Sequence, residues 1–211
     1  MRLSKKYGIS AVAALTLVAL AGAPHAYAAL SATSVLSQSI TPGTISSDIR
    51  NSTNAIINNP TINMTAVTAS TSQQTATGTF GSNAQRITVD NPGGANNGWT
   101  LSLNATNPAT DVWTSGGNSY DFNAASAAGG QLTVNPTTGT TTASVGGTTG
   151  ITLGTLATFN STAPITLVTA AAASADIWNG YFTGISLSQT IPAGQPVGTY
   201  TIPMTQTLTT L

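Results

Sequence analysis

The acidic residues of this 211-residue chain are five aspartates, Asp48, Asp90, Asp111, Asp121 and Asp176, and there is no glutamate. Carboxylates spaced in this way invite two kinds of chemistry. Glycosidic cleavage needs a pair of carboxyl groups, one of them with a raised pKa. Ca²⁺ coordination needs a cluster of oxygen ligands, and Asp90 with Asn91, Asn96 and Asn97 would supply several, with Asp111 or Asp121 completing the shell. The spacing departs from the repeating D-x-[DN]-x-[DN]-G loop. Asp and Asn in turns ordinarily bond their own backbone, so the turn role is preferred and no cofactor is expected, with Ca²⁺ as the one alternative. Nothing in the spacing marks two aspartates as a hydrolytic pair.

Other chemistry is limited by an N-terminal segment. Arg2, Lys5 and Lys6 precede an apolar run from Ile9 to Ala23 and then Ala26-Tyr27-Ala28, the pattern of a secretory signal peptide over residues 1–28 with cleavage after Ala28. The apolar run is short for a membrane span, so no stable span is expected once the signal is removed; a retained anchor is the alternative. The only histidine, His25, and every lysine lie in this segment. The mature chain would hold Arg50 and Arg86 against five aspartates, a net charge of −3, with no His, Cys, Lys or Glu. A Ser-His-Asp or Cys-His site, a His/Cys zinc site and a lysine Schiff base are excluded. So is a nucleic-acid partner, because affinity for phosphates scales with the number of cations supplied. Without cysteine an exported chain has no disulfide, and its stability must come from a hydrophobic core, which a chain of this length can bury.

The elements that would position any site are strands. Trp99, Leu101 and Leu103 alternate with Thr100 and Ser102, which sends the apolar side chains to one face. Residues 86–90 read the same way, and the Asn/Pro/Gly-rich stretch between them predicts a long-loop β-hairpin over residues 85–103. Residues 61–66, 75–80, 131–134, 151–159, 165–169 and 181–188 are further strand candidates. In the closing run 199–211, Tyr200, Ile202, Met204, Gln206 and Leu208 share one face. Residues 170–175 offer at most a turn or two of helix. Residues 135–150 read as a loop or loose hairpin. The expectation is an all-β fold, a single Ig-like or jelly-roll-like β-sandwich of about eight to ten strands with little or no helix. Residues 29–59 would form an extended arm or the first strands, and residues 60–211 the sandwich domain.

Asn97-Gly98-Trp99-Thr100-Leu101 after a polar turn resembles the proximal motif of the WxL-domain surface proteins of bacteria. The segment from Gly198 to Leu208, led by Tyr200, resembles the distal motif, with Gln206 where that motif has a second Trp. The resemblance implies a secreted β-rich domain held non-covalently at the cell envelope, in some members by binding peptidoglycan. Trp99, Leu101, Trp113, Trp178 and Tyr200 are then the candidate wall contacts. Strict alternation favours a core role for Trp99, whereas Trp113 and Trp178, in less regular sequence, are better placed to meet sugar rings.

The function expected is therefore a secreted, non-enzymatic structural or adhesive protein of the cell surface. Its partners would be cell-wall polysaccharide, peptidoglycan or other surface proteins. A first alternative is a fibre or layer subunit that assembles by strand addition, using the apolar arm at residues 30–49. A carbohydrate-active enzyme is the second alternative. Four N-x-S/T triplets, at Asn51, Asn63, Asn104 and Asn160, follow from a composition rich in Asn and Thr and carry no weight.

Overall fold

The computed structural model describes residues 33–94, 97–174 and 176–211. The signal segment and Asn96 lie outside them. The chain divides into two units, Met1–Ile40 and Thr41–Leu211. In the first, residues 33–40 hold no secondary structure and are exposed.

The second unit is all-β and sandwich-like, with fourteen strands among its described residues: β1 Ser46–Arg50, β2 Gln74–Phe80, β3 Arg86–Asn91, β4 Trp99–Ala105, β5 Trp113–Ser115, β6 Asn118–Tyr120, β7 Leu132–Asn135, β8 Thr140–Val145, β9 Ile151–Leu153, β10 Ala157–Thr158, β11 Ile165–Ala170, β12 Trp178–Thr183, β13 Ile185–Ile191 and β14 Met204–Thr210. They form three antiparallel four-stranded sheets, in the orders β1-β3-β12-β8, β10-β7-β13-β2 and β14-β4-β11-β9, and a β5-β6 ribbon. Fourteen exceeds the eight to ten expected. Part of the surplus is β5 and β6, three residues each and too short for an alternating pattern to register; part is the run 151–159, read as one strand, which splits into β9 in the third sheet and β10 in the second. One six-residue strand, β8, lies in the low-complexity run read as a loop or loose hairpin, because its Thr/Ala/Ser side chains carry almost no apolar contrast.

The hairpin expected at residues 85–103 does not form. β3 pairs with β1 and β12, and β4 pairs with β14 and β11, so the turn-rich segment joins two different sheets. Alternation reports which face is buried and is silent on the neighbour. The face itself is as read: Trp99 and Leu101 are fully buried and Leu103 nearly so. The run 181–188, read as one strand, is two. Gly184 adopts φ 82°, a conformation most side chains resist, and its amide donates to the Gly81 carbonyl at 2.7 Å. The chain thereby leaves the first sheet at Thr183 and enters the second at Ile185. Residues 61–66 meet β2 through a single bridge, Met64 to Gly78. Residues 171–174 form a turn with Ala173 at φ 65°, not helix.

An aromatic cluster joins the first and third sheets. The Trp99 ring lies 5.7 Å from that of Trp178 and 6.4 Å from that of Phe182, and the Trp178 and Phe182 rings stack at 5.6 Å. Such pairs contribute about 0.5–1.5 kcal/mol beyond the area they bury. Gly180 makes room for this cluster: a Cβ there would stand 2.5 Å from the Trp178 ring and collide with the Thr142 carbonyl. Phe80, Leu132, Val134, Ile185 and Leu187 bring the second sheet into the same core. Trp99→Ala should therefore cost about 3–5 kcal/mol through lost burial and a residual cavity, a large part of a typical total of about 5–15 kcal/mol. Urea unfolding of the variant beside the parent measures this, and an unchanged midpoint would refute the assignment of Trp99 to the core.

Candidate functional site

Between β1, residues 59–72, β2 and β13 on one side and residues 192–206 on the other lies a cleft of about 1070 Å³. Its shape follows from the sheet order. β1, β2 and β14 are each outermost in their sheets, and each contributes residues to the lining. Ile62, Met64, Ile202 and Met204 pack partly buried against the core and line the cleft. Thr65 ties its own segment to β2, with its amide donating to the Thr77 carbonyl at 2.6 Å and its hydroxyl accepting from the Thr77 amide at 2.8 Å.

One end of the cleft is aromatic. Trp113 stacks on Tyr120 with ring centroids 6.0 Å apart and planes 14° apart, and Tyr120 meets Tyr200 at 5.1 Å. Behind them lies Gln189, a glutamine buried to 1 % exposure whose polar atoms are fully used. Its Oε1 accepts from Trp113 Nε1 at 2.8 Å, and its Nε2 donates to the carbonyls of Thr190 and Asp121 at 2.8 and 3.3 Å. Satisfying a buried amide in this way avoids a penalty of about 1–3 kcal/mol. The Tyr200 hydroxyl donates to the Pro196 carbonyl and accepts from Gln195 Nε2, each at 2.9 Å, which pins the Pro-rich connector.

The candidate contacts thus divide. Trp99, Leu101 and Trp178 are core residues at 0–1 % exposure, so none of them offers a ring or a face to a wall polymer. Trp178, read from the sequence as a surface contact, is buried because β12 is a central strand between β3 and β8; its indole N–H donates to the Gly147 carbonyl at 3.0 Å. Trp113, half-buried, and Tyr200 come together through Tyr120. Tyr120 is not among the residues the sequence singles out. Its pairing register with Trp113 across β5-β6 is what places it.

Gln206, standing where the resemblance expects a second Trp, lines the cleft. Its Nε2 donates to Ser47 Oγ at 2.8 Å, bridging β14 to β1, while its Oε1 is buried without a partner among the described residues.

The ionisable groups are few. Asp48 is the one carboxylate among the residues lining the cleft, and it pairs with Arg50 at 2.9 Å. Asp90 lies on β3, opposite Ser46 on one side and Asn179 on the other. Asp111 accepts from the Asn107 amide at 2.6 Å, the local backbone bonding expected of a turn residue. Among the described residues no three of the metal-ligating acidic, His or Cys types come together. No described helix is long and apolar enough to cross a membrane. Arg86 lies over the Tyr181 ring at 4.4 Å.

Burial pushes the Tyr120 hydroxyl up to about 12, with the neighbouring Tyr200 adding to the effect. In the unfolded chain the same group ionises near about 10. A group whose pKa is higher in the folded state contributes stability that is complete below the unfolded value and is lost as pH rises through the folded one. Denaturation midpoints should therefore fall between about pH 10 and about 12, and Tyr120→Phe should flatten that fall. Equal falls in the two proteins would show that Tyr120 ionises as freely in the folded state as in the unfolded one.

Compared with known proteins, the chain matches no family model, no curated protein and no solved structure.

Proposed function

We propose that this protein is a secreted, non-enzymatic structural or adhesive component of the cell surface, held there by non-covalent contacts. The observation that carries this reading is the chemistry of the cleft. Its walls are apolar side chains, hydroxyls and amides, and its single carboxylate, Asp48, is engaged by Arg50. General acid–base catalysis needs a titratable group poised to exchange a proton, and glycoside hydrolysis needs two carboxyl groups. The cleft holds one carboxylate where hydrolysis needs two, and of its tyrosine hydroxyls Tyr200 is held by Pro196 and Gln195 and Tyr120 is pushed up to about 12, which favours a surface that binds over one that turns over substrate. The leader-like segment supports export, and the absence of His, Cys, Lys and Glu beyond residue 28 supports a structural role.

Wall contact, on this reading, falls to the Trp113–Tyr120–Tyr200 end of the cleft, where aromatic faces backed by a hydrogen-bonded amide would meet sugar rings or peptide stems. Fractionation of the producing cells should find the protein in the envelope or medium; a cytoplasmic pool alone would refute export. Purified cell walls should retain the protein, and Trp113→Ala should lower retention several-fold while the protein stays folded. Equal retention of parent and variant would remove the aromatic end from the contact.

A further inference from the structure

We infer that the cleft receives an extended strand from a second copy of this chain, and that the strand is the segment from Ser34 to Ile40. The inference rests on the surface-structural reading in taking the exported form to begin at residue 29. Val35, Leu36 and Ile40 are 95 %, 92 % and 91 % exposed and belong to no strand. Single exposed apolar residues are ordinary. Three large ones grouped in a short run next to no charge are a different matter, because such a patch marks a surface that is covered in use.

Cleft and segment match in three ways. The first is charge. Residues 34–40 carry none, the α-amino group of a chain beginning at residue 29 lying outside the docked segment, and the cleft carries only Asp48, already paired with Arg50, so neither surface buries an uncompensated ion on docking. The second is pattern. In extended backbone Leu36 and Ile40 face one way with Gln38 between them, and Val35, Ser37 and Ser39 face the other. This is a strand with an apolar side for Met64, Ile202 and Met204 and a mainly polar side for solvent. Seven residues span roughly 23 Å at about 3.3 Å each, the scale of a strand. The third is the main chain. β14 ends its sheet with a margin that pairs with no described strand through its main chain, β1 reaching it through the Gln206–Ser47 side-chain bond, and residues 61–66 hold β2 by one bridge. An incoming strand satisfies such margins by main-chain hydrogen bonds while pockets take alternate side chains.

The body that follows the donor segment is anchored from its first residues. The Gly43 amide donates to the Pro92 carbonyl at 3.1 Å, and β1 begins three residues later. Donation from one copy to the next is a heterologous contact, which propagates head to tail into a chain of subunits.

The test uses the chain from residue 29, with size-exclusion chromatography and light scattering at low and high micromolar concentration. The parent should rise in mass by whole subunits, and electron microscopy should show linear assemblies. Leu36→Asp with Ile40→Asp blocks the donor, and Val67→Arg with Val197→Arg blocks the cleft; all four positions are exposed, so melting temperatures should stay near the parent's. Each double variant alone should be monomeric. Mixed, they should give dimers and nothing larger, because one intact arm and one intact cleft remain. A parent that is monomeric at every concentration, a donor variant that still assembles, or a mixture that stays monomeric would each overturn the inference. Assembly of purified protein is independent of where the cell keeps it. A cytoplasmic location therefore refutes the export reading alone, and a monomeric parent refutes this inference alone.

Discussion

The contact between Trp99 and the Trp178–Phe182 pair is the interaction the rest of the body depends on. It locks the first sheet to the third at a ring separation of 5.7 Å, and in a chain without cysteine no covalent link can substitute for it. Two features show how much the fold concedes to it. Gly180 forgoes a side chain on a central strand so that the Trp178 ring can lie close, although glycine in a strand interior costs conformational entropy. The Trp99 indole N–H is buried with no hydrogen-bond partner among the described residues, a cost of about 1–3 kcal/mol that the apolar burial of the ring must outweigh.

That arrangement has a consequence at the other side of the molecule. The largest aromatics join the first and third sheets, the second sheet enters the core through Phe80, Leu132, Val134, Ile185 and Leu187, and Ile62, Met64, Ile202 and Met204 pack partly buried at its edge. The margins of β1, β2 and β14 are left facing a cleft instead of one another. The bridge from Gln206 to Ser47 holds two of those margins by a side chain where backbone pairing would otherwise do so. Strand margins of this kind are liabilities unless covered.

The polar interior of the cleft's aromatic end has a different logic. Gln189 is placed so that Trp113, Asp121 and Thr190 use every atom of its amide. A fully satisfied buried amide specifies a unique packing, and here it fixes the Trp113 ring, on which Tyr120 and then Tyr200 arrange themselves. The rigidity suits a contact surface whose faces are preorganised, and it agrees with the surface role proposed.

What the sequence alone determined is local and compositional. Alternation in Trp99–Leu103 announces a buried face because side-chain period and pleat are the same physical fact. The all-β class follows from many short alternating runs with turn residues between them. The exclusion of His- and Cys-based chemistry beyond residue 28 follows from composition. What only the tertiary structure decided is partnership. β3 and β4 are adjacent in sequence and both well patterned, yet each pairs elsewhere, because pairing is set by which neighbours bury a face together and no single strand encodes that. Trp178 and Trp113 sit in equally irregular sequence; one is central in a sheet and the other sits on a short ribbon beside the cleft. The Trp113–Tyr120–Tyr200 cluster draws on positions up to 87 residues apart in chain number. Its existence depends on a cleft that forms only when three sheets fail to close on one another, and a period-two pattern holds no record of that.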